Sequence, residues 1–124
     1  MQTQREKIGI FAEQLAQRYL KERGFKILTT NYKKPWGEVD IIVQKQGTIH
    51  FVEVKANSKD FSFGFNPELR VNKEKLRHIV RTAESFLFEK RLDGQEWQID
   101  ILALSFDLEG KTALIKYFKK INFD

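Results

Sequence analysis

The chain is expected to be an α/β protein, a central mixed β-sheet flanked by helices, with elements in the order α-β-β-β-α-β-β. Three observations predict this. Apolar residues recur at the spacing of one helical face in two stretches, from Ile8 to Leu20 and from Leu76 to Leu87. Between them, two β-branched runs surround Gln46-Gly47, the pattern of a hairpin. After the second helical stretch, two more apolar runs are separated by a glycine-containing turn. At 124 residues the chain has room for one domain, taken as 1–124.

The first helix rests on Ile8, Phe11, Ala12, Leu15, Ala16, Tyr19 and Leu20, and Gly24 supplies its C-terminal stop. Phe25-Lys26-Ile27-Leu28-Thr29 follows as a strand, and Asn31 to Gly37, with Pro35, as a loop. The hairpin runs from about Glu38 to Ala56. Asn57 to Pro67 is polar but interleaves Phe61, Phe63 and Phe65. That alternation suits a short strand with one apolar face; the functional alternative is self-association or stacking on unpaired bases. Leu76, Ile79, Val80, Ala83 and Leu87 mark the second helix. The last strands lie around Trp97–Phe106 and Thr112–Phe118, joined by Asp107-Leu108-Glu109-Gly110.

The hairpin holds the chemistry. If Gln46-Gly47 is a two-residue turn, Lys45 faces Thr48, and counting outward sets Asp40 opposite Glu53. Period-two alternation then gathers Asp40, Glu53 and Lys55 on one face with Ile42 and Phe51, and leaves Val39, Ile41, Val43, Val52 and Val54 on the other. A three-residue loop with a bulge at Gly47 would shift the pairing and flip Asp40. Two opposed carboxylates repel, more so where apolar neighbours exclude water, and such a pair commonly has a cation to hold. A solvated outer face is the bland alternative.

Composition narrows the chemistry. The chain lacks cysteine, which excludes disulfides and cysteine-ligated zinc. His50 and His78 lie on different elements without a ligand-like partner, so each is expected to be a surface or half-buried side chain. The polar start, Met1 to Lys7, and the lack of a long apolar run point to a cytoplasmic protein with no membrane partner. A net charge of +5 favours a polyanionic partner. Between Arg70 and Arg91, seven basic residues face three acidic ones. Lys73, Arg77 and Arg81 form a stripe at helical spacing that is either a solvated face or a track for a phosphate backbone. Trp36, beside the turn into Asp40, is either a lid on the core or a stacking platform.

Several segments together resemble one family. Gly9-x-x-Ala12-Glu13-x-x-Ala16-x-x-Tyr19-Leu20, Gly24-Phe25, Asn31, Gly37-Glu38-Val39-Asp40 and Phe51-Val52-Glu53-Val54-Lys55 look like the signature of the YraN-type family of uncharacterised bacterial proteins. Lys75, Ala83-x-x-Phe86-Leu87 and Ile99-Asp100-Ile101 agree, so the resemblance runs from about Lys7 to Ala103. That family is similar to archaeal Holliday-junction resolvases and to the PD-(D/E)XK nucleases, whose restriction-endonuclease-like core has the helix, three-strand meander, helix, strand layout read above. The resemblance implies a metal-dependent endonuclease acting on DNA, of branched or other structured form. It assigns metal binding to Asp40, Glu53 and the helix acid Glu13, and positioning of water to Lys55. Val39 stands where the named motif has proline.

With oxygen donors and no Cys or His, the expected ion is Mg²⁺ or Mn²⁺. Glu38, two residues before Asp40, is expected at the rim or behind the site, and Lys75 at a phosphate beside Lys73, Arg77 and Arg81. Asp100, on a buried-looking strand, is expected to be a structural hydrogen-bonding residue. Resolvase-like symmetry would require a homodimer, with Phe61–Phe65 at its interface. Two other functions stay open: a nucleic-acid-binding module that keeps the acids without cutting, and a basic adaptor for other proteins.

Overall fold

A computed structural model describes residues 2–57, 73–107 and 112–121. The Phe61–Phe65 stretch, Arg70 and the turn at 108–110 lie outside the described residues. The elements are α1 (Gln4–Glu22), β1 (Lys26–Lys34), β2 (Gly37–Lys45), β3 (Thr48–Asn57), α2 (Lys73–Glu89), β4 (Glu96–Asp107) and β5 (Thr112–Phe118), in the order read from the sequence.

α1 starts at a capping box: the Glu6 amide donates to Thr3 Oγ1 at 3.1 Å, and the Thr3 amide to the Glu6 carboxylate at 3.4 Å. It ends in a Schellman turn. Gly24 takes φ +86°, its amide donates to the Lys21 carbonyl, and the Phe25 amide donates to that of Leu20. This places Phe25 back under the helix, in the core with Leu20.

The sheet order is β1-β2-β3-β4-β5. Neighbours are antiparallel except β3 and β4, which run parallel and therefore need the crossover that contains α2. Gln46 and Gly47 have φ +51° and +82°, the all-positive signature of a type I′ turn, and Lys45 pairs with Thr48 as expected. α1 packs on one face through Ala12, Ala16 and Leu20 against Ile41, Val43, Val52 and Leu102. α2 covers the other through Ile79, Ala83, Phe86 and Leu87 against Ile42, Ile49, Phe51 and Ile99. The result is three layers, helix, sheet, helix. Among the described residues no helix is long and apolar enough to cross a membrane.

Two expectations need correction. The loop read from Asn31 to Gly37 is mostly strand: β1 continues to Lys34, pairing with Gly37, and only Pro35-Trp36 turns the chain. Gly37 is required there, because a Cβ would lie 2.6 Å from Thr82 Oγ1 and 3.0 Å from the His78 carbonyl oxygen. Val39 is the second. It packs with Ile42 under α2 and not with Ile41 and Val43 under α1. Strand alternation breaks at Asp40, where the β2–β3 ladder ends at Ile41–Val52 and Asn31, across on β1, adopts φ +50°.

Asp100 has the structural role expected of it. Fully buried on β4, it accepts from His50 Nδ1 at 2.6 Å, Gln98 Nε2 at 2.8 Å, the Lys120 amide at 2.8 Å and the Tyr117 hydroxyl. His50 is therefore buried and partnered, which its place on a strand alone did not reveal. His78 is exposed on α2.

Candidate active site

The break at Asp40 builds the site. Beyond Val52, β3 loses β2 as a ladder partner while keeping β4, so its β2-side edge would carry an unpaired amide at Val54. Asp40 Oδ2 accepts that amide at 2.7 Å. The carboxylate thus stands in for a missing backbone acceptor, at the seam between the two sheet faces.

On the α1 side of the seam is a pocket of about 450 Å³ lined by Glu6, Gly9, Glu13, Asn31, Glu38 and Asp40, among others. Glu13 reaches it from α1, half-buried, and Asn31 Nδ2 donates to its Oε1 at 2.7 Å. Burial pushes the Glu13 carboxyl above its usual range against the Asn31 hydrogen bond, with the charges of Asp40 and Glu38 adding to the rise. Glu38 is exposed at the rim.

Glu53 and Lys55 lie on the α2 side, so the expected single face carrying Asp40 with both of them is corrected: with the ladder ended at Ile41–Val52, Asp40 sits at the seam and lines the α1-side pocket. The Glu53 side chain is only 12% exposed, and Lys75 Nζ of α2 stands 3.5 Å from its Oε1. Burial, then the adjacent Asp40 charge, pushes the Glu53 carboxyl up to about 7; Lys75 opposes this more than Lys55 does. Burial, then the nearby Lys75, draws the Lys55 ammonium below its ordinary value. Asp40 and Glu53 therefore adjoin across the open end of the ladder, with two lysines on the Glu53 side.

Among the described residues, no three Asp, Glu or His side chains converge as a ready-made ion cage. The donors still suit a hard cation: two adjoining carboxylates, Asp40 and Glu53, whose mutual repulsion an ion would relieve. Mg²⁺ commonly takes one or two carboxylates and completes its shell with water and phosphate oxygens. Glu13 faces the same Asp40 from the α1 side.

Of the basic residues, Lys73, Arg77 and Arg81 are exposed on α2, while Lys75 turns to Glu53. The Arg81 guanidinium stacks 4.0 Å from the Trp36 ring centre, tying the stripe to the β1–β2 turn. Two participants escaped the sequence reading: Asn31, whose left-handed backbone and amide orient Glu13, and Lys75 as an ion-pair partner of Glu53. Asn31's tolerance of positive φ was the available signal.

The Glu53 shift has a measurable sign. The unfolded chain ionises this carboxyl near 4.5 and the folded one near 7. Its contribution to stability is therefore intact below the unfolded value and is lost as pH rises through about 7. At 1.36 kcal/mol per unit the loss is about 3 kcal/mol. Glu53→Gln should stabilise the metal-free protein by about that much at pH 8 and little at pH 4.5. Urea unfolding at the two pH values checks it; an equal effect at both would show that Glu53 ionises freely in the fold.

A model of the family described as "Uncharacterised protein family UPF0102" matches residues 12–106. That span contains Glu13, Asp40, Glu53, Lys55 and Lys75. A UPF0102 protein of Syntrophus aciditrophicus is 40% identical over 115 residues, 92% of this chain and 89% of the relative. One from a Sulfurihydrogenibium species is 39% identical over 110 residues, covering 86% and 94% of the two chains. One from Campylobacter fetus is 33% identical over 115 residues, 93% of each. With full-length relatives at this identity and a family model matched across the helix acid, the hairpin and α2, the chain belongs to the uncharacterised protein family UPF0102.

Proposed function

We propose that this protein is a restriction-endonuclease-like, Mg²⁺- or Mn²⁺-dependent phosphodiesterase that cuts branched or otherwise structured DNA in the cytoplasm. The observation that carries the reading is Asp40, held on the Val54 amide next to the half-buried Glu53 at the end of the β2–β3 ladder, with Lys75 paired to Glu53. Carboxylates adjoining in a half-buried seam are an unfavourable arrangement that a divalent ion would reverse. Asp40 and Glu53 would hold that ion, with Glu13 across the α1-side pocket. When bound, it supplies Lewis acidity toward the scissile phosphate and the attacking water.

The chain's own residues do the rest. Lys55 orients the water and offsets the negative charge that grows on the phosphoryl oxygens. Asn31 holds Glu13, and the Val54 amide fixes Asp40. The exposed Lys73, Arg77 and Arg81 supply phosphate contacts without sequence preference.

A binding module of the same fold is the second reading, favoured by the exposed basic stripe of α2. Incubation with linear, flapped and four-way DNA in Mg²⁺ or Mn²⁺ separates the two. Cleavage of branched substrates that needs metal and disappears in Asp40→Asn is expected. Replacing both Arg77 and Arg81 with alanine should weaken binding to all sequences and reduce the salt slope by about one per lost phosphate contact. Steep salt-dependent binding without cutting in either metal would favour the module. Neither binding nor cutting would overturn both.

A further inference from the structure

The ion pair to Glu53 comes from the second helix and not from the motif lysine. Lys75 lies in the first turn of α2, and its Nζ is 3.5 Å from Glu53 Oε1. Its neighbour Leu76 is buried with Ile101 under Phe118 and Ile121, which anchors the start of the helix and fixes where the Lys75 stem begins. The partners differ in exposure: the Glu53 side chain is 12% exposed and that of Lys75 44%. The carboxylate is thus held in the fold, while the ammonium can swing to solvent on a flexible four-carbon stem.

Charge balance gives this asymmetry a consequence. Asp40 and Glu53 together carry at most two negative charges, and Lys55 already adjoins them. A divalent ion arriving at the pair would compete with Lys75 for Glu53 and repel it, adding to the repulsion of Lys55 at short range. Lys75 shares the exposed surface of α2 with Lys73 and Arg77, so a displaced ammonium has a polyanion as its natural new partner.

Resting on the metal-binding reading of the site, we propose that Lys75 is its built-in counter-ion, occupying Glu53 until a divalent ion displaces it toward a DNA phosphate. Metal and DNA then bind cooperatively, because each favours the same position of one side chain.

Calorimetric titration of Mn²⁺ into wild type, Lys75→Met and Lys75→Arg, without DNA, tests this together with thermal melts of the metal-free forms. Lys75→Met keeps the stem and removes the competing charge, so it should bind Mn²⁺ about fivefold more tightly than wild type, while Lys75→Arg stays near wild type. A short DNA duplex should tighten Mn²⁺ binding to wild type but not to Lys75→Met. At pH 8, Lys75→Met should lower the metal-free melting temperature, and the drop should vanish in a Glu53→Gln background. Unchanged or weaker Mn²⁺ binding by Lys75→Met overturns the proposal. If no form binds Mn²⁺, the phosphodiesterase reading and the displacement step both fall. The melts then decide the ion pair alone: non-additive effects of Lys75→Met and Glu53→Gln uphold it, and additive effects overturn it.

Discussion

On the proposed phosphodiesterase reading, Lys55→Ala is expected to slow DNA cleavage by about a hundredfold to a thousandfold while leaving DNA affinity nearly unchanged. Lys55 is held on β3 by its pairing opposite Ala103 of β4, so its stem starts from a fixed position. Burial, followed by the repulsion of Lys75, lowers the cost of removing its proton. An ammonium of that kind both orients a water and gives up a proton more readily than a surface lysine. Its attraction to the phosphate grows as charge accumulates in the transition state, which is the condition for changing a rate more than an affinity. Binding on this reading would draw mainly on the exposed α2 cations, and one lost site lysine would be a small part of that total. Single-turnover cleavage and fluorescence anisotropy separate the two quantities. A Lys55→Ala protein that cuts within tenfold of wild type would remove Lys55 from the chemistry. A proportionate loss of affinity would make it a binding residue instead.

The part of this site that was legible in the sequence is local. Gln46-Gly47 fixes a two-residue turn, the turn fixes Lys45 against Thr48, and the counted register holds out to Ile41 against Val52, one pair short of Asp40 and Glu53. What period-two counting does not contain is the end of the ladder. It assumes continuous pairing, and pairing stops at Ile41–Val52, so Val39 was assigned to the wrong face. The break lies across from Asn31, on a separate strand, and leaves the Val54 amide needing an acceptor; no spacing rule joins either residue to Asp40. The Lys75–Glu53 pair depends on where α2 lands after the crossover, which amphipathic periodicity leaves undetermined. Gly37 is the clearest case of a residue whose purpose is visible only in three dimensions, because the obstacle to a side chain there comes from Thr82 and His78. The family, by contrast, was legible early, because its motifs span both helices and the hairpin in order.

Asp100→Ala is expected to cost about 4 kcal/mol of folding stability, a large part of the roughly 5–15 kcal/mol typical of a domain. The carboxylate is fully buried and accepts four hydrogen bonds, from His50, Gln98, Tyr117 and the Lys120 backbone. These donors come from β3, β4, β5 and the segment after β5, so one side chain joins the parallel pair to the edge strand and to the chain that follows. Burial alone would push the Asp100 carboxyl up, but the four donors together hold it below its ordinary value. Its stabilising contribution is therefore present above the unfolded value near 3.8 and lost as pH falls through the lower folded one, opposite in sign to that of Glu53. Alanine removes the acceptor and strands the donors in a site where water cannot replace it, at about 1–3 kcal/mol for each one left unpaired. Tyr117→Phe removes one donor and leaves three, and should cost about 1 kcal/mol. Asparagine retains the size but turns an N–H toward donors, so it should fall between the two. Urea unfolding at pH 7 orders the three variants. A loss below about 1 kcal/mol for Asp100→Ala would mean that the network forms without contributing to stability.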